Sequence, residues 1–179
     1  MIESVVSNSG PNAIHARRHD LALVTVGNTL RADDGVGRRL LANLPSDIKD
    51  SICMFDAGIY TSSIPLFIDG HKTGIVLDAF KGAVDDSDPD SVVIDISDLS
   101  TTRTLSLDRT HAISWLNELV LCRETVTLPA RLLFFGVSAV ETGWSEGLSV
   151  PMTLKLQHLT DTLSALIRTH VVDVCTKQQ

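Results

Sequence analysis

Three residues of this sequence, Asp34, Asp78 and His111, have side chains that could bind one transition metal ion together. Asp34 follows the loop after the first apolar segment, Asp78 ends the apolar run 75–77, and His111 opens a helical pattern. Two carboxylates and an imidazole suit a divalent transition metal whose remaining coordination positions stay open for a substrate. The three residues are far apart in the chain, so the elements that carry them must bring them together.

The first of these elements is an apolar strand that leads into a polar loop and a helix. Leu21–Val26 has no apolar/polar alternation, which is typical of a strand buried on both faces. After the loop, four apolar residues at helical spacing mark the buried face of a helix: Val36, Leu40, Leu41 and Leu44. Asp33 and Asp34 lie at the start of this helix, where capping of free N–H groups is the alternative to a functional role. Gly35 and Gly37 instead favour a close approach by another group, because each glycine weakens a helix by about 1 kcal/mol relative to alanine.

Strands and helices alternate along the rest of the chain. Further strands are predicted at four places: residues 52–55, 73–77, 92–96 and 131–137. The first two of these strands end at Asp56 and Asp78. A short helix or turn is predicted at residues 62–68, and longer helices are predicted from Thr110 onward and from Ser149 onward. In the last helix, six apolar residues are expected to face inward: Val150, Leu154, Leu159, Leu163, Leu166 and Ile167. This alternation predicts an α/β fold of three layers, with helices on both faces of a largely parallel sheet.

In folds of this type, ligands bind at the carboxyl ends of the strands, where helix N-termini converge. Asp34, Asp78 and His111 all fall at that edge and are therefore predicted to share one site. Asp78 needs a partner or solvent, because it follows a strand that is buried on both faces. His111 taken alone also fits a surface histidine, or a core histidine whose hydrogen bonds are satisfied.

Composition narrows the possible partners and location. The 179 residues are expected to form a single domain over residues 20–175, after a loose N-terminal tail over residues 1–19. The net charge of −7 argues against nucleic acid as a partner, and no apolar run reaches the roughly 18 residues that membrane insertion requires. The N-terminus has no secretory-signal pattern, and the three cysteines form no CxxC pair. A cytoplasmic location is therefore expected.

Two other motifs fit the sequence less well. Residues 143–147 match the G-x-S-x-G pattern of serine hydrolases, and Asp161 and His170 follow in the corresponding order. The predicted strand ends before this motif and the predicted helix begins after it, so Ser145 lacks the required strand-to-helix turn. Dinucleotide binding is also disfavoured, because no G-x-G-x-x-G is present and the acids after the first strand would repel a pyrophosphate.

The loop after the first strand belongs to a longer pattern. Residues 27–37, with the sequence GNTLRADDGVG, resemble the opening motif of the nickel-iron hydrogenase maturation endopeptidases. The similarity extends to five further places: Asp56 with Gly58, Leu77-Asp78-Ala79, His111, Gly136-Val137 and Gly147-Leu148-Ser149. The resemblance covers residues 21–170. It implies a three-layer α/β/α sandwich of the phosphorylase/hydrolase-like type, with a mixed sheet of about five strands.

The resemblance also implies a function. Members of this family remove a short C-terminal extension from the precursor of a hydrogenase large subunit after nickel has been inserted. Metal binding and catalysis are thereby assigned to Asp34, rather than Asp33, and to Asp78 and His111. Substrate binding is assigned to three further residues: Asn28, Asp56 and Gly58. The implied partner is the precursor protein, and the implied metal is nickel supplied by that substrate, which leaves open whether the resting enzyme holds a metal.

The chain departs from the family pattern at two places. A glycine is frequent where Thr25 stands, and Asp-Gly-Gly-Thr is common where this chain has Asp56-Ala57-Gly58-Ile59. The loop that would grip the substrate is therefore expected to differ in shape, because Ala57 and Ile59 restrict backbone angles that glycines permit. Two alternative functions stay open: a non-catalytic assembly factor that binds metal or precursor, and a conventional hydrolase with its own zinc.

Overall fold

The computed structural model describes residues 19–81, 90–99 and 112–175. Its centre is a five-stranded sheet in the order β2-β1-β3-β5-β4. The strands are β1 Leu21–Val26, β2 Cys53–Gly58, β3 Thr73–Phe80, β4 Ser91–Asp95 and β5 Arg131–Ser138. The four strands β2, β1, β3 and β5 are parallel, and β4 runs antiparallel beside β5. The expected mixed, mostly parallel sheet of five strands is confirmed.

Helices cover both faces of this sheet. They are α1 Val36–Asn43, α2 Ser46–Lys49, α3 Ile64–Ile68, α4 Ala112–Cys122 and α5 Val150–Cys175. Helices α1 and α5 contact each other on one face, and α3 and α4 contact each other on the opposite face. The predicted three-layer α/β/α arrangement is therefore confirmed.

Strand β1 is the centre of the hydrophobic core. All six of its residues are buried. Leu21 and Leu23 belong to the core cluster that includes residues of α1 and α5, whereas Ala22 and Val24 belong to the cluster that includes residues of α3 and α4. Successive side chains of a strand point to opposite faces, so both sets must be apolar when helices cover both faces. This double burial explains the absence of polar alternation in β1.

Two strands run further than the sequence predicts. Strand β3 continues to Phe80, so Asp78 lies inside the strand, paired with Gly136 of β5, instead of ending it. Strand β2 likewise continues past Asp56 to Gly58. The physical reason is pairing: β5 extends to Ser138 and offers backbone partners for the last residues of β3, which a local pattern does not reveal.

Helix α5 begins where the sequence predicts. The Ser149 hydroxyl accepts a hydrogen bond of 3.2 Å from the Met152 N–H, which is an N-cap. Of the six residues expected to face inward, Leu159, Leu163 and Ile167 are buried and Leu166 is half-buried.

The prediction for the other two residues is wrong. Val150 is 74% exposed and Leu154 is 80% exposed, and Met152 is buried instead. A residue two positions from the buried row is turned by about 200° around the helix axis, so Val150 and Leu154 face away from the sheet.

Several expectations concern residues that the structure does not describe. Residues 1–18 of the proposed N-terminal tail lie outside the described part of the chain. Thr110 and His111 also lie outside it. The division into a tail and one domain stays a prediction. Among the helices that are described, none combines the length and the apolar character that a membrane crossing requires.

Candidate functional site

The loop after β1 closes tightly at the carboxyl edge of the sheet. The Gly27 N–H donates a hydrogen bond of 2.9 Å to the Gly58 carbonyl of β2. Gly27 has a φ of +135°, and a Cβ at this position would lie 1.9 Å from the Asp34 carbonyl oxygen. Only glycine fits this close approach, which brings the end of the loop back beside the end of the strand.

Asp34 is held by the loop that precedes it. Its Oδ2 accepts a hydrogen bond of 2.8 Å from the Asn28 N–H, and the Asn28 Oδ1 in turn accepts one of 2.9 Å from the Leu30 N–H. The Asp34 Oδ1 accepts no hydrogen bond from the described residues, and the residue lines an open cleft. Asp34 does not cap α1, because no side chain makes an N-cap hydrogen bond to this helix. One carboxylate oxygen of Asp34 is therefore available to a ligand.

Its neighbour Asp33 is completely buried and fully occupied. The Asp33 Oδ1 accepts a hydrogen bond of 2.8 Å from the Ser149 N–H. The Oδ2 accepts three: from the Ser149 hydroxyl at 3.0 Å, the Val140 N–H at 3.0 Å and the Glu141 N–H at 2.9 Å. These four bonds leave Asp33 no room for a ligand, which gives a physical reason to prefer Asp34 that the sequence resemblance does not contain.

Asp78 is a buried carboxyl group within β3. It is 1% exposed, and neither of its oxygens accepts a hydrogen bond of good geometry from the described residues. Burial, followed by the nearby Asp34 carboxylate, raises the pKa of Asp78 from 3.8 to about 7. The Ala79 N–H and the Trp115 indole lower the pKa by smaller amounts. Asp34 is therefore near enough to act electrostatically on Asp78, and the shared metal site stays a prediction.

The third predicted ligand cannot be placed. His111 lies outside the described residues, and within residues 19–81, 90–99 and 112–175 no group of three His, Cys, Asp or Glu side chains could hold a metal ion. The described part of the chain therefore supplies the carboxylate pair Asp34 and Asp78. An unpartnered buried carboxyl next to a second carboxylate is a donor set that fits a divalent transition metal with further ligands from elsewhere.

The cleft beside Asp34 has a volume of about 250 Å³ and includes the predicted substrate-binding residues Asn28, Asp56 and Gly58 in its lining. Asp56 is exposed and well oriented. Its Oδ1 accepts hydrogen bonds from the Thr25 hydroxyl at 3.2 Å and the Gly58 N–H at 3.1 Å, and its Oδ2 lies 3.7 Å from the Arg38 Nε. Thr25, one of the departures from the family pattern, thus helps to fix Asp56.

Apolar side chains surround this cleft. Leu30, Ile59 and Tyr60 line it and are 50%, 62% and 72% exposed. Trp144 is 78% exposed and lies against Arg31 of the loop after β1. The guanidinium carbon of Arg31 is 5.8 Å from the centroid of the indole ring. Exposed aromatic and aliphatic residues beside a polar cleft are typical of surfaces that bind a protein or peptide.

The serine-hydrolase motif does not form a catalytic triad. The Ser145 backbone bonds to the first loop, with its N–H donating to the Leu30 carbonyl at 3.0 Å. His170 instead lies on α5 with its Nε2 3.3 Å from the Arg131 guanidinium, at the start of β5. His170 thus lies beside the start of β5, and Ser145 follows the end of that strand. The eight residues of β5 span roughly 25 Å. The expectation that this motif is not a nucleophile elbow is confirmed.

Sequence reasoning missed two features of the site. The first is Asp33, whose bonding partners follow it by 107 to 116 residues. The second is the Thr25 hydroxyl, which bonds to a carboxylate on the neighbouring strand. The pair of adjacent acids was visible in the sequence, but no local pattern distinguishes a carboxylate that holds the loop from one that faces a ligand.

Comparison with known proteins connects this geometry to a fold. No protein-family model and no curated protein matches the sequence. Among solved structures, the hydrogenase maturating endopeptidase HybD from Escherichia coli is similar with a TM-score of 0.67 and 18% identity, over 86% of this chain and 94% of that chain. The NiFe hydrogenase maturation protease HybD from Thermococcus kodakarensis is similar with a TM-score of 0.63 and 18% identity, over 84% and 99% of the two chains. The chain therefore has the fold of the hydrogenase maturation endopeptidases, as its sequence resemblance implies.

Proposed function

We propose that this protein is an endopeptidase that removes the C-terminal extension from the precursor of a nickel-iron hydrogenase large subunit. The observation that carries the proposal is that Asp34 lines an open cleft and lies near the buried Asp78, whose oxygens accept no hydrogen bond of good geometry from the described residues. The fold shared with the hydrogenase maturation endopeptidases and the motif of residues 27–37 support the same conclusion. The metal in this proposal is nickel that arrives with the substrate.

The carboxylate pair suits recognition of a metal that the substrate already holds. Asp34 offers one free oxygen at the cleft, and Asp78 offers two that lack hydrogen bonds from the described residues. Such a pair would complete the coordination of a nickel ion bound mainly by substrate cysteines, with His111 as the third proposed ligand. An enzyme built in this way would act only on a precursor that has received its metal.

The reaction is peptide-bond hydrolysis, in which water adds across the scissile C–N bond to give a carboxylate and an amine. Nickel held by the substrate would either polarise the scissile carbonyl or activate the attacking water. The chain's own contribution is to bind and orient: Asp34 and Asp78 engage the metal, and Asn28, Asp56 and Gly58 hold the peptide beside it. The proposal needs no serine or cysteine nucleophile.

The cleft and its surroundings suit a peptide substrate. Asp56 is fixed by Thr25 and Arg38 at the cleft, where it can accept hydrogen bonds or pair with a cationic side chain. The exposed Ile59 and Tyr60 beside it can contact apolar residues of the extension. The loop of residues 56–61 departs from the family pattern. The Gly58 N–H at the end of β2 nevertheless donates a hydrogen bond to the Asp56 carboxylate.

Cleavage of two forms of the precursor tests this proposal. Nickel-loaded precursor is expected to lose its extension when incubated with the protein, and nickel-free precursor is expected to stay intact, as read by mass spectrometry. Asp34→Asn, Asp78→Asn and His111→Ala are each expected to abolish cleavage. Asp161→Asn is a matched control, because Asp161 is exposed on α5 and its carboxylate accepts a hydrogen bond from Gln157, its one side-chain partner among residues 19–81, 90–99 and 112–175.

Each alternative function predicts a different outcome. Equal processing of both precursor forms would remove nickel sensing from the proposal. A non-catalytic assembly factor would bind the precursor without cleaving it. A conventional zinc hydrolase would contain bound zinc after purification, which metal analysis would detect, and would cleave without nickel.

A further inference from the structure

The carboxylate of Asp33 is buried beside the candidate site without a part in the proposed chemistry. Its four hydrogen bonds connect the loop after β1 to the segment of residues 140–149 that leads into α5. Ser149 donates two of these hydrogen bonds, from its N–H and its hydroxyl, and the hydroxyl also accepts one from the Met152 N–H, so the start of α5 and the first loop form one bonded unit. Burying a carboxylate is costly unless hydrogen bonds compensate for the lost water, and four of them do so at Asp33.

The backbone around Asp33 adds to this connection. The Asp33 N–H donates to the Glu141 carbonyl at 3.0 Å, and the Ala32 N–H donates to the Ser145 carbonyl at 2.9 Å. Ala32 has a φ of +46°, a conformation that residues other than glycine rarely adopt. A strained residue persists when its surroundings hold it in place, and here the hydrogen bonds of Asp33 and Ser145 do so.

Asp34 depends on the same unit for its position. The Asp34 N–H donates a hydrogen bond of 3.1 Å to the Arg31 carbonyl. This bond closes the turn that contains the strained Ala32, so the position of Asp34 depends on that turn. The Arg31 guanidinium is itself fixed by two hydrogen bonds to the Thr142 carbonyl, at 3.1 Å and 3.0 Å. If the Asp33 carboxylate lost its partners, Ala32 could relax and the free oxygen of Asp34 would leave its place at the cleft.

We propose that Asp33 is a positioning residue for cleavage: its carboxylate holds the strained loop so that Asp34 faces the substrate. This inference rests on the proposed function. Asp33 touches neither substrate nor metal, and it acts through Asp34. A displacement of about 1 Å in a reacting group can lower a rate by about 100-fold, so the effect belongs in kcat more than in KM.

The test compares Asp33→Asn with the parent on nickel-loaded precursor. Asparagine keeps the shape but points an NH2 group at backbone N–H donors. We expect kcat to fall at least about tenfold while KM changes less than about twofold. Hydrogen exchange at the Asn28 and Asp34 amides is expected to accelerate at least about tenfold, whereas the amides of β1 should accelerate only as far as the lower global stability of the variant requires. The matched control Asp161→Asn is expected to change neither quantity.

Ser149 provides a second and milder variant in case Asp33→Asn does not fold. Ser149→Ala removes one of the four donors and is expected to lower kcat and accelerate exchange at the same two amides. Ser149→Thr retains the hydroxyl and is expected to restore both. Melting temperatures that fall in Asp33→Asn and Ser149→Ala with kcat and exchange unchanged would overturn the inference, because Asp33 would then be structural only.

The outcome also separates this inference from the proposed function. A parent protein that fails to cleave nickel-loaded precursor overturns the proposed function. A parent that cleaves, with Asp33→Asn cleaving at the same kcat, overturns the positioning role alone.

Discussion

Asp34 and Asp78 lie close enough for the Asp34 carboxylate to raise the pKa of Asp78, in addition to the larger increase that burial causes. Asp34 reaches the cleft, whereas Asp78 lies within β3 at 1% exposure. Asp34 is itself only 7% exposed, so it lines the cleft from a largely buried position, while Asp78 is enclosed. Four predictions follow from the bonding of these residues and their neighbours.

The first prediction concerns pH. Folding raises the pKa of Asp78 from 3.8 to about 7, so the folded chain binds its proton more tightly than the unfolded chain. The free energy of unfolding should therefore decrease as pH rises from about 4 to about 7, by up to about 4 kcal/mol from this group. Asp78→Asn should remove this decrease, so that the variant is more stable than the parent at pH 8 and similar to it at pH 4. Urea unfolding at both pH values provides the measurement.

The prediction is wrong if the difference in free energy of unfolding between the parent and Asp78→Asn is the same at pH 4 and at pH 8. Asp161→Asn is again the control, because it removes an exposed carboxylate and should leave the pH dependence as it is.

The second prediction separates the adjacent acids. Asp34→Asn should change the free energy of unfolding by less than about 1 kcal/mol, because an amide oxygen can still accept the Asn28 N–H. Asp33→Asn should cost about 3 kcal/mol or more, because several buried donors lose their acceptor. Chemical denaturation of the two variants beside the parent measures both. Similar losses in the two variants would indicate that Asp34 is structural as well.

The third prediction concerns the tight loop. Gly27→Ala should destabilise the protein by more than about 3 kcal/mol, because the new Cβ would collide with the Asp34 carbonyl at 1.9 Å. Gly143→Ala is the matched control, since a Cβ there meets nothing within 4 Å. Thermal unfolding should show a large decrease in melting temperature for the first variant and almost none for the second. Comparable melting temperatures would mean that the loop does not close as described.

The fourth prediction tests the serine-hydrolase alternative. Ser145→Ala should leave cleavage unchanged, because within the described parts of the chain Ser145 makes hydrogen bonds through its backbone alone. A covalent serine-directed inhibitor should likewise leave the parent active. Loss of cleavage in either experiment would contradict this prediction and would support Ser145 as a nucleophile.

The sequence was sufficient to predict the architecture, for reasons that are local. The uninterrupted apolar residues of β1 indicate burial on both faces, and Ser149 marks the start of α5 because an N-cap needs only residues within one turn. Where the answer depended on a neighbouring element, local patterns failed. The length of β3 depends on pairing with β5, and the exposure of Val150 and Leu154 depends on which row of α5 meets the sheet.

At the site, the sequence by itself indicated that carboxylates stand after the first strand and near the end of the third, and that glycines beside the first loop allow another group to approach closely. The tertiary structure decided which carboxylate holds the loop and which one keeps an oxygen free for a ligand. Asp33 is enclosed because its donors come from residues 140–149, and Asp34 is left with a free oxygen because Gly27 brings the loop back against it. Two adjacent and identical side chains differ only in their partners, and partners more than 100 residues away are set by folding rather than by local sequence.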